Sequence, residues 1–180
     1  MSARIAALVL TLLGPALPAM AVEIPRPGAA DPRIRTIDYD PQQVVRLVGT
    51  FRTATQVVFA ADETILHVAL GDTSGWEVAP EANVLFVKPA ARGAPTNLIV
   101  TTQRAGRATR HYTFELATRS GPTGRNAPDT YFVVQFRYPA DAAAELQQVL
   151  SAEARAAYLF APVTSLPPDA VRATPRRQTA

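Results

Sequence analysis

Two stretches of this chain alternate apolar and polar residues with a period of two, the property a half-buried β-strand requires. In RHYTFELA, Tyr112, Phe114 and Leu116 fall on one face, and His111, Thr113 and Glu115 on the other. In YFVVQFRYP, Phe132, Val134, Phe136 and Tyr138 share a face opposite Gln135 and Arg137. Further runs rich in Val, Ile, Thr and aromatics are parted by turn residues. Together they predict strands near 33–39, 43–48, 55–60, 64–70, 75–79, 83–88, 96–103, 108–117 and 130–138. NVLFVKP is apolar on both faces and belongs inside a sheet, while Gly106, within 103–107, marks a hairpin loop. Many short strands at this spacing predict an all-β sandwich or partly open barrel, of about eight to nine mostly antiparallel strands.

The pattern changes after Pro139. PADAAAELQQVLSAEARAAYLF holds one β-branched residue, Val149, and is rich in good helix formers. Leu146, Val149, Leu150, Ala154 and Ala157 make an apolar stripe at helical spacing, and Pro139 and Asp141 suit a first turn. Pro162, Pro167, Pro168 and Pro175 then oppose any regular element. At the other end, Arg4, the run from Ile5 to Leu13 that is apolar apart from Thr11, the break at Gly14 and Pro15, and Ala19-Met20-Ala21 have the layout of a secretory signal peptide cleaved after Ala21. The run is too short for a membrane-spanning helix, which needs about 20 apolar residues. The expected organisation is a signal peptide at 1–21, an extended Pro- and Gly-rich linker at 22–32, a β-sandwich at 33–138, an α-helix at 139–160 and a Pro-rich tail at 161–180.

Cysteine is absent, so an exported chain of this length must rely on its core, and no lipid-bearing cysteine follows the cleavage site. That composition suits a Gram-negative periplasm. Residues 22–180 keep all of the formal charge of +3 except the one on Arg4, and are close to balanced. All but one of the 18 basic residues are arginine, but they form no dense block, which gives nucleic-acid binding little support.

The residues that invite a chemical reading each have a plainer one. Lys88, the only lysine, precedes a proline and sits in no phosphate loop. Ser120 to Arg125 (SGPTGR) has two glycines but no helix to follow. His67 shares its expected face with Ile65 and Ala69, and His111 lies on the outer face of its strand; neither has a second ligand at metal spacing. Asp38 and Asp40 could share one strand face, but Asp40 before Pro41 reads as a turn. Arg104, Arg107 and Arg110 read as a solvated hairpin tip, with a partner contact as the other reading. Trp76, the only tryptophan, shares a face with Val78 opposite Glu77, which favours a packed core residue over an exposed ligand platform. No catalytic residue, metal site or cofactor site is expected.

The order of short motifs carries more than any one of them. DPRIRTIDYDPQQVVRL at 31–47 is followed by TQVVFAADETILHVALGDTSGWEVAP at 55–80, NVLFVKP at 83–89, TNLIVTT at 96–102, RHYTFEL at 110–116 and YFVVQFRYP at 131–139. This series resembles the TrbG/CagX family, the periplasmic subunit of the outer-membrane core complex of type IV secretion systems. The resemblance implies a β-sandwich that assembles with a TrbI-type inner-membrane-anchored subunit into a multi-copy ring. It also implies a channel role in exporting DNA–protein complexes or effectors, with no enzymatic activity and no cofactor. Family members usually continue into a second β-domain that docks a small outer-membrane lipoprotein and the TrbI-type partner. Because the sequence ends at Ala180 in what reads as the interdomain linker, the ring-forming role is the one expected of these residues. The other function considered is a stand-alone periplasmic sandwich that binds carbohydrate or peptide through an exposed aromatic platform.

Overall fold

A computed structural model of the chain describes residues 22–127 and 129–159. The expected signal segment, Phe160 and the tail at 161–180 lie outside the described residues. The chain divides after Arg137 into a β-domain and a helical unit.

The β-domain has two sheets. The first runs, in spatial order, β1 (Val22–Glu23), β4 (Val44–Thr50), β10 (Arg110–Arg119), β9 (Thr96–Arg104) and β6 (Glu63–Leu70). The second runs β2 (Arg26–Pro27), β3 (Ile34–Asp38), β11 (Val133–Arg137), β5 (Thr55–Val58), β8 (Val84–Pro89) and β7 (Trp76–Glu81). All nine strands expected from alternation form, each within three residues of its expected limits. β8, apolar on both faces, is flanked by strands on both sides. The hairpin between β9 and β10 turns at Gly106, whose φ of +69° lies in the region glycine adopts most readily.

The alternation decides which residues meet between the sheets. Val45, Leu47, Leu98, Val100, Tyr112, Phe114 and Leu116 of the first sheet are buried, as are Ile37, Val57, Leu85, Val87, Val134 and Phe136 of the second. Aromatic rings bridge the layers: Tyr112 lies 4.5 Å from Phe59 and 4.8 Å from Phe136, and Phe114 lies 6.0 Å from Phe136. Aromatic pairs of this kind each add about 0.5–1.5 kcal/mol beyond the area they bury.

Three features depart from the expected pattern. The sheets are mixed, with five antiparallel pairings and four parallel ones. The chain changes sheet at most of its connections, so only β2–β3, β7–β8 and β9–β10 pair as consecutive antiparallel strands, and several spatial neighbours run the same way. The extended segment at 22–27 supplies β1 and β2, which add a two-residue strand to one edge of each sheet. Finally, β6 bulges at Leu66: Ile65 pairs with Thr102 but His67 pairs with Thr101. The extra residue puts Ile65 and His67 on opposite faces, so His67 and Ala69 point outward and do not share a face with Ile65.

The helical unit contains α1 (Pro139–Leu159), with Pro139 as its first residue and Asp141 in its first turn. None of its residues is buried, and Leu146, Val149 and Leu150 of the expected stripe are exposed. Among the described residues, no helix is long and apolar enough to cross a membrane.

Candidate interaction surfaces

Trp76 occupies the core and offers no platform. It is 4% exposed, and its ring lies against the backbone of Gly49 on β4. A Cβ at Gly49 would come within 2.6 Å of two ring atoms, so only glycine lets the ring lie this close. Asp72 shapes the turn that delivers the ring. Its Oδ1 accepts from Ser74 N at 3.0 Å, Ser74 Oγ at 2.7 Å and Gly75 N at 3.0 Å, and the Ser74 hydroxyl and the two amides hold its carboxyl below the usual range.

The arginines of the β9–β10 hairpin are not a solvated tip. Only Arg107 stays exposed. Arg104 is 7% exposed, and its Nε donates to Asp62 Oδ2 at 2.7 Å, which lowers the Asp62 pKa. Arg110 is half-buried and pairs through Nη1 with Glu63 Oε1. The Glu63 side chain has no exposed surface. Its Oε2 also accepts from the Thr102 hydroxyl at 2.6 Å and the Tyr112 hydroxyl at 2.8 Å. A carboxylate in the core is tolerated only with this kind of satisfaction. The Arg110 guanidinium also lies 5.1 Å from the centre of the Tyr39 ring, and burial raises the Tyr39 pKa. The sequence reading missed Glu63. Its inward parity with Ile65 on β6 was the one local signal.

The remaining singled-out residues serve local structure. Asp40 Oδ1 accepts from Gln42 N at 2.8 Å, forming the expected turn. Asp38 pairs with Arg137 at 2.9 Å and with Arg26 at 3.7 Å. His111, on the outer face, meets Thr101 Oγ1 at 3.2 Å through Nδ1. Lys88 pairs with Glu77 at 2.9 Å. The loop containing 120–125 is fastened to 30–33: Arg33 Nη1 donates to the Thr123 carbonyl at 3.2 Å, and Arg125 donates to the Ala30 carbonyl. Arg33 also forms a close pair with Asp31 at 2.7 Å, which takes the Asp31 pKa down to about 2. Among the described residues, no three His, Asp or Glu side chains are grouped as a metal ion would need.

A cleft lies where β4 and β10 run toward their C-terminal ends. Its cavity of about 350 Å³ is lined by Ile24, Arg46, Val48, Arg119, Asp129 and Tyr131, among others. A neighbouring cavity of about 210 Å³ also has Arg119 in its wall and adds Phe51, Arg92 and Ser120. Arg46 pairs with Glu115 at 3.3 Å, Arg119 Nη1 donates to the Thr130 hydroxyl at 3.0 Å, and Arg92 Nη2 donates to Ser120 Oγ at 2.6 Å. The sequence reading singled out none of these arginines, which come together only in the fold.

Comparison with known proteins places this β-domain. The family model for CagX, described as a conjugal transfer protein, matches residues 32–173. The type IV secretion system protein virB9 of Bartonella henselae is 39% identical over 140 residues, covering 78% of this chain and 48% of that protein. The type IV secretion system protein PtlF of Bordetella pertussis is 37% identical over 146 residues, covering 72% of this chain and 52% of that protein. Protein virB9 of Agrobacterium fabrum is 35% identical over 144 residues, covering 79% of this chain and 49% of that protein. The chain thus spans about half the length of the curated relatives it matches. With a family match across both its sheets and relatives this similar over most of its length, the chain belongs to the CagX family of conjugal transfer proteins.

Proposed function

We propose that this chain is a structural subunit of the core complex of a type IV secretion system. Its β-domain contributes to a ring-shaped channel in the cell envelope that exports DNA–protein complexes or effectors. The observation that carries this reading is the 35–39% identity to proteins named for type IV secretion, which runs across the sandwich rather than one motif. The role is assembly, without turnover of a substrate and without a cofactor. The ring partners are further copies of the chain and a TrbI-type inner-membrane-anchored subunit; contact with a small outer-membrane lipoprotein belongs to the family's second domain. The location is the periplasm, reached by a signal peptide at 1–21 cleaved after Ala21.

Buried Trp76 argues against the alternative of a sandwich that binds carbohydrate or peptide through an exposed aromatic platform. Co-expression with a TrbI-type subunit, followed by affinity purification and native mass spectrometry, tests the proposal. A multi-copy assembly containing both chains is expected. A chain that stays monomeric and leaves the partner behind would sink the reading. N-terminal sequencing of the periplasmic product tests export, and Val22 is the first residue expected.

A further inference from the structure

The cleft at the end of β4 and β10 has the character of a binding site that the fold leaves incomplete. β1 pairs only with Val44 and Val45, after which the chain leaves for the second sheet. Among the described residues, no strand lies beside Arg46 to Thr50 on that side of β4. Ile24, the residue after β1, forms part of the cavity wall there.

Two buried polar groups lack hydrogen-bond partners in residues that adjoin the cavity wall without lining it, Thr50 beside Arg119 and Arg35 over Tyr131. Thr50 Oγ1 belongs to a residue 1% exposed, on the same face of β4 as Arg46 and Val48. Arg35 Nε belongs to a residue 8% exposed, whose guanidinium lies 4.2 Å from the centre of the Tyr131 ring in the cavity wall. Unpartnered buried polar groups are uncommon in native proteins and call for an explanation.

The charges select the ligand class. Arg46, Arg92 and Arg119 line the two cavities, against Asp129 in the wall and Glu115 paired with Arg46. Guanidinium groups take carboxylates through paired N–H donors. A continuous phosphate backbone would bring repeated negative charge against Asp129 and Glu115 as well. Ile24, Val48 and Tyr131 provide apolar walls for the stem of a side chain.

We propose that this cleft docks an acidic, extended segment of a partner polypeptide. One Glu or Asp side chain enters between Arg46 and Arg119, and a second carboxylate reaches Arg92. The proposal rests on the cleft itself and stands whether or not the chain assembles into a ring.

The test titrates the isotope-labelled chain with a capped peptide of alternating glutamate and valine, followed by NMR. The matching glutamine–valine peptide, a short DNA duplex and phosphatidylglycerol vesicles serve as comparisons. The glutamate peptide is expected to shift resonances of Arg46, Arg92 and Arg119 and to bind at least about tenfold more tightly than its glutamine counterpart. Raised salt weakens a contact of this kind. Arg46→Gln and Arg92→Gln alter exposed side chains, so both variants should stay folded, with Trp76 fluorescence as the check, and together lose about tenfold in affinity. No binding at millimolar peptide, equal binding of the glutamine peptide, or an unchanged affinity in the folded double variant overturns the proposal. So does tighter binding of the duplex or the vesicles at the same arginines.

Discussion

Glu63 has no exposed side-chain surface, and Arg110, Thr102 and Tyr112 surround its two oxygens. These partners come from β9 and β10, roughly 40 to 50 residues on, so no local pattern announced them. Replacing the carboxyl with an amide of the same shape takes away the acid that Arg110 pairs with. Glu63→Gln is expected to cost about 3 to 5 kcal/mol in urea unfolding, the range for breaking a buried pair from one side. An unchanged midpoint would show that water already solvates Arg110. Gly49 poses the opposite problem, of space rather than charge. Gly49→Ala would drive a methyl group into the Trp76 ring and should destabilise by about 1 to 3 kcal/mol. Because Trp76 is the only tryptophan, its emission reports the same event, and a red shift in the folded variant is expected. Wild-type stability with unchanged emission would mean that β4 and β7 separate at little cost.

At the scale of the element, strands were legible because alternation is a property of consecutive residues. Tyr112, Phe114 and Leu116 declared their face without reference to any neighbour. Pairing was less legible, because the choice of neighbour is made between distant segments. The parallel alignment of Val45 with Phe114 is one case, and the bulge at Leu66 is another: a single extra residue reversed the face of His67. The arginine cleft belongs to the same class, since Arg46, Arg92 and Arg119 meet only after the sheets have formed. Turns store their own cost. Ala82, in the β7–β8 hairpin, has a φ of +49°, where an L-residue with a Cβ pays about 1 to 2 kcal/mol. Ala82→Gly relieves that strain but adds freedom to the unfolded chain, worth about 0.4 to 1 kcal/mol. The expected net effect is a gain of up to about 1 kcal/mol in thermal unfolding, and a clear loss would show that the methyl group packs usefully.

For the whole β-domain, acid is the condition that tests several connections at once. Asp31 fastens Arg33, which reaches the loop at Thr123; Asp62 holds Arg104 at the base of the β9–β10 hairpin; Asp72 orders the turn into β7. In each case an arginine or a set of turn donors favours the ionised carboxylate and lowers its pKa in the folded state, to about 2 for Asp31. An unfolded aspartate titrates near 3.9, so as pH falls through about 4 the unfolded chain binds protons that the folded chain does not. These three groups therefore contribute their full stabilisation above about pH 5 and lose it as pH drops toward 2. The melting temperature should hold level above pH 5 and fall between pH 4 and 2. Asp31→Asn isolates one contribution: the variant should melt below the parent at pH 6, and the gap should close by pH 2, where the parent's own carboxyl becomes protonated. All three carboxylates sit at the surface, so the gap is small and should shrink in salt. A gap that stays constant from pH 6 to pH 2 would place the role of Asp31 in the shape of its loop rather than in its charge.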